Sequence, residues 1–142
     1  MLDVITPTQI AESQTAGLWY FLPFGYLLTI TVETSVLIFG LSPKLSLKQK
    51  LLCGIWLTAC TYPIVVLVLP TLFAGSERWL YLLVAEIFAP VGECIIFWLA
   101  FRGRKLLEYS DWTRCFAAII VANLASFAIG EVFNYYQWFG LI

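Results

Sequence analysis

Four glutamates stand where charge is expensive. Glu33, Glu86, Glu93 and Glu131 each lie inside a long apolar stretch, and Asn123 shares the last stretch with Glu131. An ionised carboxylate at mid-bilayer costs at least about 2.5–3.5 kcal/mol on insertion scales. Four such groups facing lipid are therefore excluded. They are protonated, they face a polar interior, or they hold a cation.

Helical spacing groups them. Glu86 and Glu93 are seven residues apart and share a face with Pro90 and Phe97, while Glu33 lines up with Tyr26, Thr29 and Gly40. Gly54, Thr58, Thr61 and Tyr62 form the most polar face of the second stretch, and Asn123, Phe127, Glu131 and Asn134 share one sector of the fourth. At a rise of about 1.5 Å per residue, two tiers result. Glu33, Glu93, Asn123 and Thr58 fall slightly to the cytoplasmic side of the midplane; Glu86 and Glu131 fall nearer the outside. Like-charged acids gathered in one apolar site suit a shared proton or an oxygen-rich site for a hard cation such as Na⁺ or Ca²⁺. The plainer alternatives are protonated acids bonding helix to helix, and a polar surface for the groups of another protein.

The elements that position these residues follow from composition. Hydrophobic residues make up 61% of the chain and charged residues 12%, against about 45–50% and about 25% in soluble domains. A chain of this size cannot bury so much apolar side chain in water. Four stretches are long enough to cross a bilayer, 18–41, 51–73, 80–101 and 115–139. They predict an all-α, polytopic four-helix bundle as one domain over 18–139, with a short tail at 1–17 and a short end at 140–142. Lys44, Lys48 and Lys50 lie in the first loop, Arg102, Arg104, Lys105 and Arg114 in the third, and Arg78 alone in the second. The positive-inside rule places loops one and three in the cytoplasm and both termini outside, a pattern that suits a bacterial inner membrane. Trp19, Tyr20, Trp79, Tyr81, Tyr135, Tyr136 and Trp138 gather at the outer ends as an aromatic belt.

Other chemistries are removed by what the chain contains. Histidine is absent, which excludes His-ligated haem or zinc and Ser–His hydrolysis. The four cysteines form no CxxC pair. The net charge of −1 offers no footprint for nucleic acid, and no cofactor is expected. Ala118, Ala122, Ser126 and Gly130 recur every four residues, a small-residue stripe on which a neighbouring helix can seat closely. Pro63, Pro70 and Pro90 each remove a helix hydrogen bond and can kink their helices. Glu33 and Glu93 are each followed by a basic loop and each preceded, seven residues earlier, by Tyr26 and Glu86. That hints at two parallel hairpins derived from one.

The first functional expectation is a small proton- or cation-handling transporter or channel, working as a homo-oligomer. In plan the chain is similar to the small multidrug-resistance transporters, which have four short spans and a glutamate in the first. Its strong loop-charge bias departs from their balanced loops, and their sequence motifs are not matched. The second expectation is an accessory subunit, its acids, which lack basic partners within the spans, paired with residues of other membrane subunits. The third is an intramembrane hydrolase using Glu86 and Glu131 as an acid pair.

Overall fold

A computed structural model of the chain describes residues 7–137, with side chains from Leu22 onward and that of Trp19. All of its elements are helical: α1 Pro7–Gly40, α2 Leu47–Pro63, a π-helical turn Ile64–Val68, α3 Leu69–Leu72, α4 Arg78–Phe101 and α5 Tyr109–Tyr135. Four segments are long and apolar enough to cross a membrane: Leu22–Gly40, Leu47–Leu72, Arg78–Phe101 and Tyr109–Tyr135. Leu27, Trp56, Leu72, Ile87 and Val121 all point outward, as a bundle solvated by lipid requires. The expected all-α fold with four helices long and apolar enough to cross a membrane is present.

Local chemistry moves the helix ends from where hydropathy put them. α1 reaches beyond the expected start near residue 18, and the chain is helical from Pro7, the first described residue, onward. Residues 7–17, expected as a tail, therefore continue the helix. At the head of α2, Ser46 Oγ accepts the Gln49 N–H and Gln49 Oε1 accepts the Ser46 N–H at 2.8 Å, a reciprocal capping box. α5 starts at Tyr109 rather than 115, since Asp111 accepts the Glu108 N–H at 3.0 Å. The expected end of the fourth span at 139, Trp138 and residues 1–6 lie outside the described residues, and so does the Tyr20 side chain.

α1 packs on α2 and α5, and α4 packs on the same two helices, so α1 and α4 face each other diagonally without direct backbone approach. Glycine sets how close α1 comes. A Cβ on Gly40 would sit 2.7 Å from the Ala118 Cβ, and one on Gly54 would collide with Thr34. α4 is held less tightly: a Cβ on Gly92 would meet only the Thr61 methyl at 3.5 Å.

One end of the bundle, carrying loops 41–46 and 102–108, is tied shut. Lys50 Nζ donates to the carbonyls of Ile38 and Leu41, and Arg114 donates to those of Gly40 and Phe39. These cations satisfy the last carbonyls of α1 and sit favourably at its negative end. Lys44 pairs with Asp111 at 2.7 Å and Glu108 at 3.0 Å, and Ser42 Oγ donates to Asp111 at 2.6 Å. Those hydrogen bonds, first to Asp111 and then to Glu108, hold the Lys44 ammonium above its ordinary pKa of 10.5. The apolar core fills this same half, with Leu37, Leu41, Leu57, Phe97, Phe101 and Ile119 among its members.

The opposite end, marked by the turn at 73–77, is looser. Leu69 N–H bonds to Ile64 O, five residues back. The next donor in that register would be Pro70, which has no N–H. The Tyr81 hydroxyl, from α4, instead donates to the Val65 carbonyl at 3.2 Å. The proline is thus absorbed by one π turn and a side chain from another helix.

Candidate functional site

Two carboxyl groups lie in the middle of the bundle, each held between two helices. Glu33, on α1, is 3% exposed and Glu93, on α4, is 1% exposed. Glu33 accepts from Thr58 Oγ1 on α2 at 2.5 Å and from Ser126 Oγ on α5 at 2.8 Å. Glu93 accepts from Thr61 Oγ1 on α2 at 2.8 Å and from Asn123 Nδ2 on α5 at 2.8 Å. All four spans meet in these four bonds. The tier expected from depth alone, Glu33, Glu93, Asn123 and Thr58, is brought together. Thr61 and Ser126 complete it. Sequence reading placed Thr61 on the polar face of its span but gave Ser126 only a packing role.

The donors have a second feature. Each hydroxyl also lies within reach of the carbonyl one turn earlier on its own helix: Thr58 of Gly54 O at 2.8 Å, Thr61 of Leu57 O at 3.2 Å, and Ser126 of Asn123 O at 2.9 Å. A hydroxyl has one hydrogen and can serve only one acceptor at a time, but it can also accept. Turned toward the carboxyl, the three hydroxyls stabilise its ionised form. Turned toward the backbone, they expose an oxygen lone pair to a protonated carboxyl. Asn123 has two N–H bonds and serves Glu93 and Ile119 O together. Both protonation states are therefore satisfied by rotating hydrogens, with no movement of heavier atoms.

The arrangement repeats. Glu93 follows Glu33 by sixty residues, and the buried pairs Leu37 and Phe97, and Leu41 and Phe101, keep that offset. On the returning helices the offset is sixty-five: Thr58 and Asn123 each serve the carboxyl of their own hairpin, and Thr61 and Ser126 each serve the other one. Buried Leu57 and Ala122 fall in the same register. α1–α2 and α4–α5 are thus parallel hairpins that exchange places about an axis along the bundle, the geometry of parallel internal repeats.

Beyond this layer, toward the 73–77 turn, a cavity of about 290 Å³ opens. Glu33, Thr58, Thr61, Asn123 and Ser126 lie at its inner end, Glu86, Tyr62 and Tyr81 along its walls, and Arg78, Glu131 and Asn134 at its outer end. Glu131 is not free to share a proton with Glu86: Arg78 bonds both its oxygens, at 2.8 and 3.0 Å. The reading of the outer acids as lacking a basic partner is corrected here. Arg78 heads α4, and nothing in the spacing signals that it reaches across to α5. Glu86 Oε2 is buried with no hydrogen-bond partner among the described residues.

The small-residue stripe divides along its length. Ala118 and Ala122 are buried against α1, Ser126 bonds Glu33, and Gly130 lines the cavity with nothing within 4 Å of where its Cβ would stand.

Set against protein-family models, curated proteins and solved structures, the chain matches none. Function has to be argued from the site itself. As a metal centre the inner layer is poorly made. Every carboxyl oxygen of Glu33 and Glu93 already faces a donor, whereas a hard cation needs several free oxygen acceptors. Among the described residues no group of three or more His, Cys, Asp or Glu side chains could hold a metal ion.

Proposed function

We propose that this chain is a proton-handling membrane transporter whose proton site is the Glu33–Glu93 layer. The observation that carries the reading is the pair of buried carboxyls held by hydroxyls that can serve either protonation state. A group that exchanges protons inside a membrane needs that tolerance, because an unsatisfied charge or an unsatisfied hydroxyl there is costly. The cavity supports the same reading, since it leads from the Arg78–Glu131 end to Glu33 and Asn123. On the far side the route is filled by Leu37, Leu41, Phe97 and Phe101. That combination favours alternating access over an open pore.

The orientation proposed with it puts the Lys44 end in the cytoplasm, where seven of the eight basic residues gather. Both termini are then outside, the cavity faces outward, and a bacterial inner membrane is the setting that suits the bias. One chain contains both carboxyls and all four donors, so the proton site needs no second copy. The accessory-subunit reading drew on acids without internal partners. Glu33, Glu93 and Glu131 have theirs, which favours the transporter. The hydrolase reading needs a Glu86–Glu131 pair, and Glu131 is bonded to Arg78.

The test is reconstitution in liposomes with a pH-sensitive dye. Wild type is expected to move protons under an imposed gradient, and Glu33→Gln and Glu93→Gln to fall to the background of empty vesicles. A folded wild type that moves none under several gradients, or Gln variants as active as wild type, would sink the proposal.

A further inference from the structure

We infer that the outer cavity is a binding site for a small, hydrogen-bond-donating organic cation, a protonated amine, with Glu86 as its counter-ion. The inference builds on the transporter reading by naming a ligand class, and it is measured without a gradient so that the two can fail separately.

Three observations carry it. The first is the cavity, whose volume of about 290 Å³ lies near the lower bound of small-molecule sites. The second is Glu86 Oε2, buried on the cavity wall without a donor. Buried polar atoms are almost always hydrogen-bonded, and no side chain among the described residues supplies this bond. The third is the comparison of the two hairpins. Sixty residues earlier, in the same register, stands Tyr26, whose hydroxyl donates to the Ile55 carbonyl at 3.3 Å. A carboxylate at that register cannot donate, so the second hairpin replaces a group satisfied by backbone with one that needs a donor from elsewhere.

Charge and shape set the ligand class. Of the other acids at the cavity, Glu33 is held by its two hydroxyl donors and Glu131 by Arg78. Glu86 is left to set the sign, which calls for a cation. Tyr62 and Phe127 line the same space, and aromatic side chains suit an ammonium with a short apolar body. The missing element is an N–H directed at Oε2. A quaternary ammonium brings the charge without that hydrogen, and a neutral alcohol brings a hydrogen without the charge.

The experiment titrates the purified full chain in detergent at pH 7 with three probes of one shape: 2-phenylethylammonium, its N,N,N-trimethyl derivative and 2-phenylethanol. The primary ammonium is expected to bind at least about tenfold more tightly than either of the others. Glu86→Gln is expected to remove that preference while leaving the alcohol's affinity unchanged. Gly130→Leu, which adds bulk where nothing stands within 4 Å, is expected to weaken all three. Equal affinity for ammonium and alcohol, or a Glu86→Gln protein that still prefers the ammonium, overturns the inference. Preference for the trimethyl derivative overturns the hydrogen-bonding part of it. Glu93→Gln, in the proton layer but not among the residues that line the cavity, is expected to abolish proton movement yet keep the ammonium preference. Amine binding by a wild type that moves no protons would leave this site standing and remove the transporter.

Discussion

The two halves of the bundle are built on different terms. In the half that ends at Lys44 and Asp111, the two hairpins match position for position: Leu37 with Phe97, Leu41 with Phe101, Leu57 with Ala122, Thr58 with Asn123. In the half that ends at the 73–77 turn they do not. Tyr26 answers to Glu86, Val65 to Gly130, Val66 to Glu131 and Leu69 to Asn134. The matched half is closed and apolar, and the unmatched half holds the cavity. A duplicated frame keeps its symmetry where only packing is asked of it. It departs from symmetry where a polar, one-sided space has to be made, and the polar groups at the outer end of that space, Arg78, Glu131 and Asn134, all come from the second hairpin.

The comparison can be broken first with glycine. Gly54→Ile drives side chain into the Thr34 backbone and is expected to cost about 3 kcal/mol or more, enough to abolish recovery of folded protein. Gly130→Ala, on the cavity wall, is expected to change stability by less than about 0.5 kcal/mol. Unfolding in mixed micelles checks both, and similar losses at the two sites would mean that the halves are equally close-packed.

The repeat itself can be sharpened by paired substitutions at the carboxyl layer. Thr58→Val and Asn123→Leu remove equivalent donors, as do Thr61→Val and Ser126→Ala. Each is expected to cost about 0.5–1.5 kcal/mol, with members of a pair agreeing to within about 0.5 kcal/mol. A large cost confined to one hairpin, read in the same unfolding assay, would show that the matching register has no energetic counterpart.

The smallest effect concerns the closed end. Lys44 has a folded-state pKa above its ordinary 10.5 because Asp111 and Glu108 accept its hydrogen bonds. Its contribution is therefore present below about 10.5 and disappears as pH rises through the folded-state value. The stability difference between wild type and Lys44→Gln is expected to stay constant from about pH 6 to pH 9 and to shrink only above about 10.5. A difference that fades near neutral pH would mean that these bonds do not hold the loop.

Much of this was legible in the residues. Four apolar stretches and four intramembrane acids gave the spans, and the rise per residue placed Glu33, Glu93, Asn123 and Thr58 at one depth. Spacing could not say which donor meets which acid, since that depends on how each helix is rotated about its axis. Serine is small enough to serve as packing alone, yet the Ser126 hydroxyl reaches Glu33. Arg78 is a loop charge by position, yet its long side chain reaches Glu131. Asp111 lies outside the stretch that hydropathy selects, although Ser46 and Gln49, and Glu108 and Asp111, carry spacings that mark helix starts. Hydropathy sees apolar length, whereas caps are set by single hydrogen bonds.

The bond from Tyr81 to the Val65 carbonyl has a mechanical consequence. At the π turn the ladder of that helix is interrupted by Pro70, and a single side-chain bond from α4 spans the gap. The carbonyl that Pro70 cannot serve ties this side of the bundle to α4 instead. Val65 and Tyr81 both line the cavity, so the bond that bridges the interrupted ladder is also part of the cavity wall.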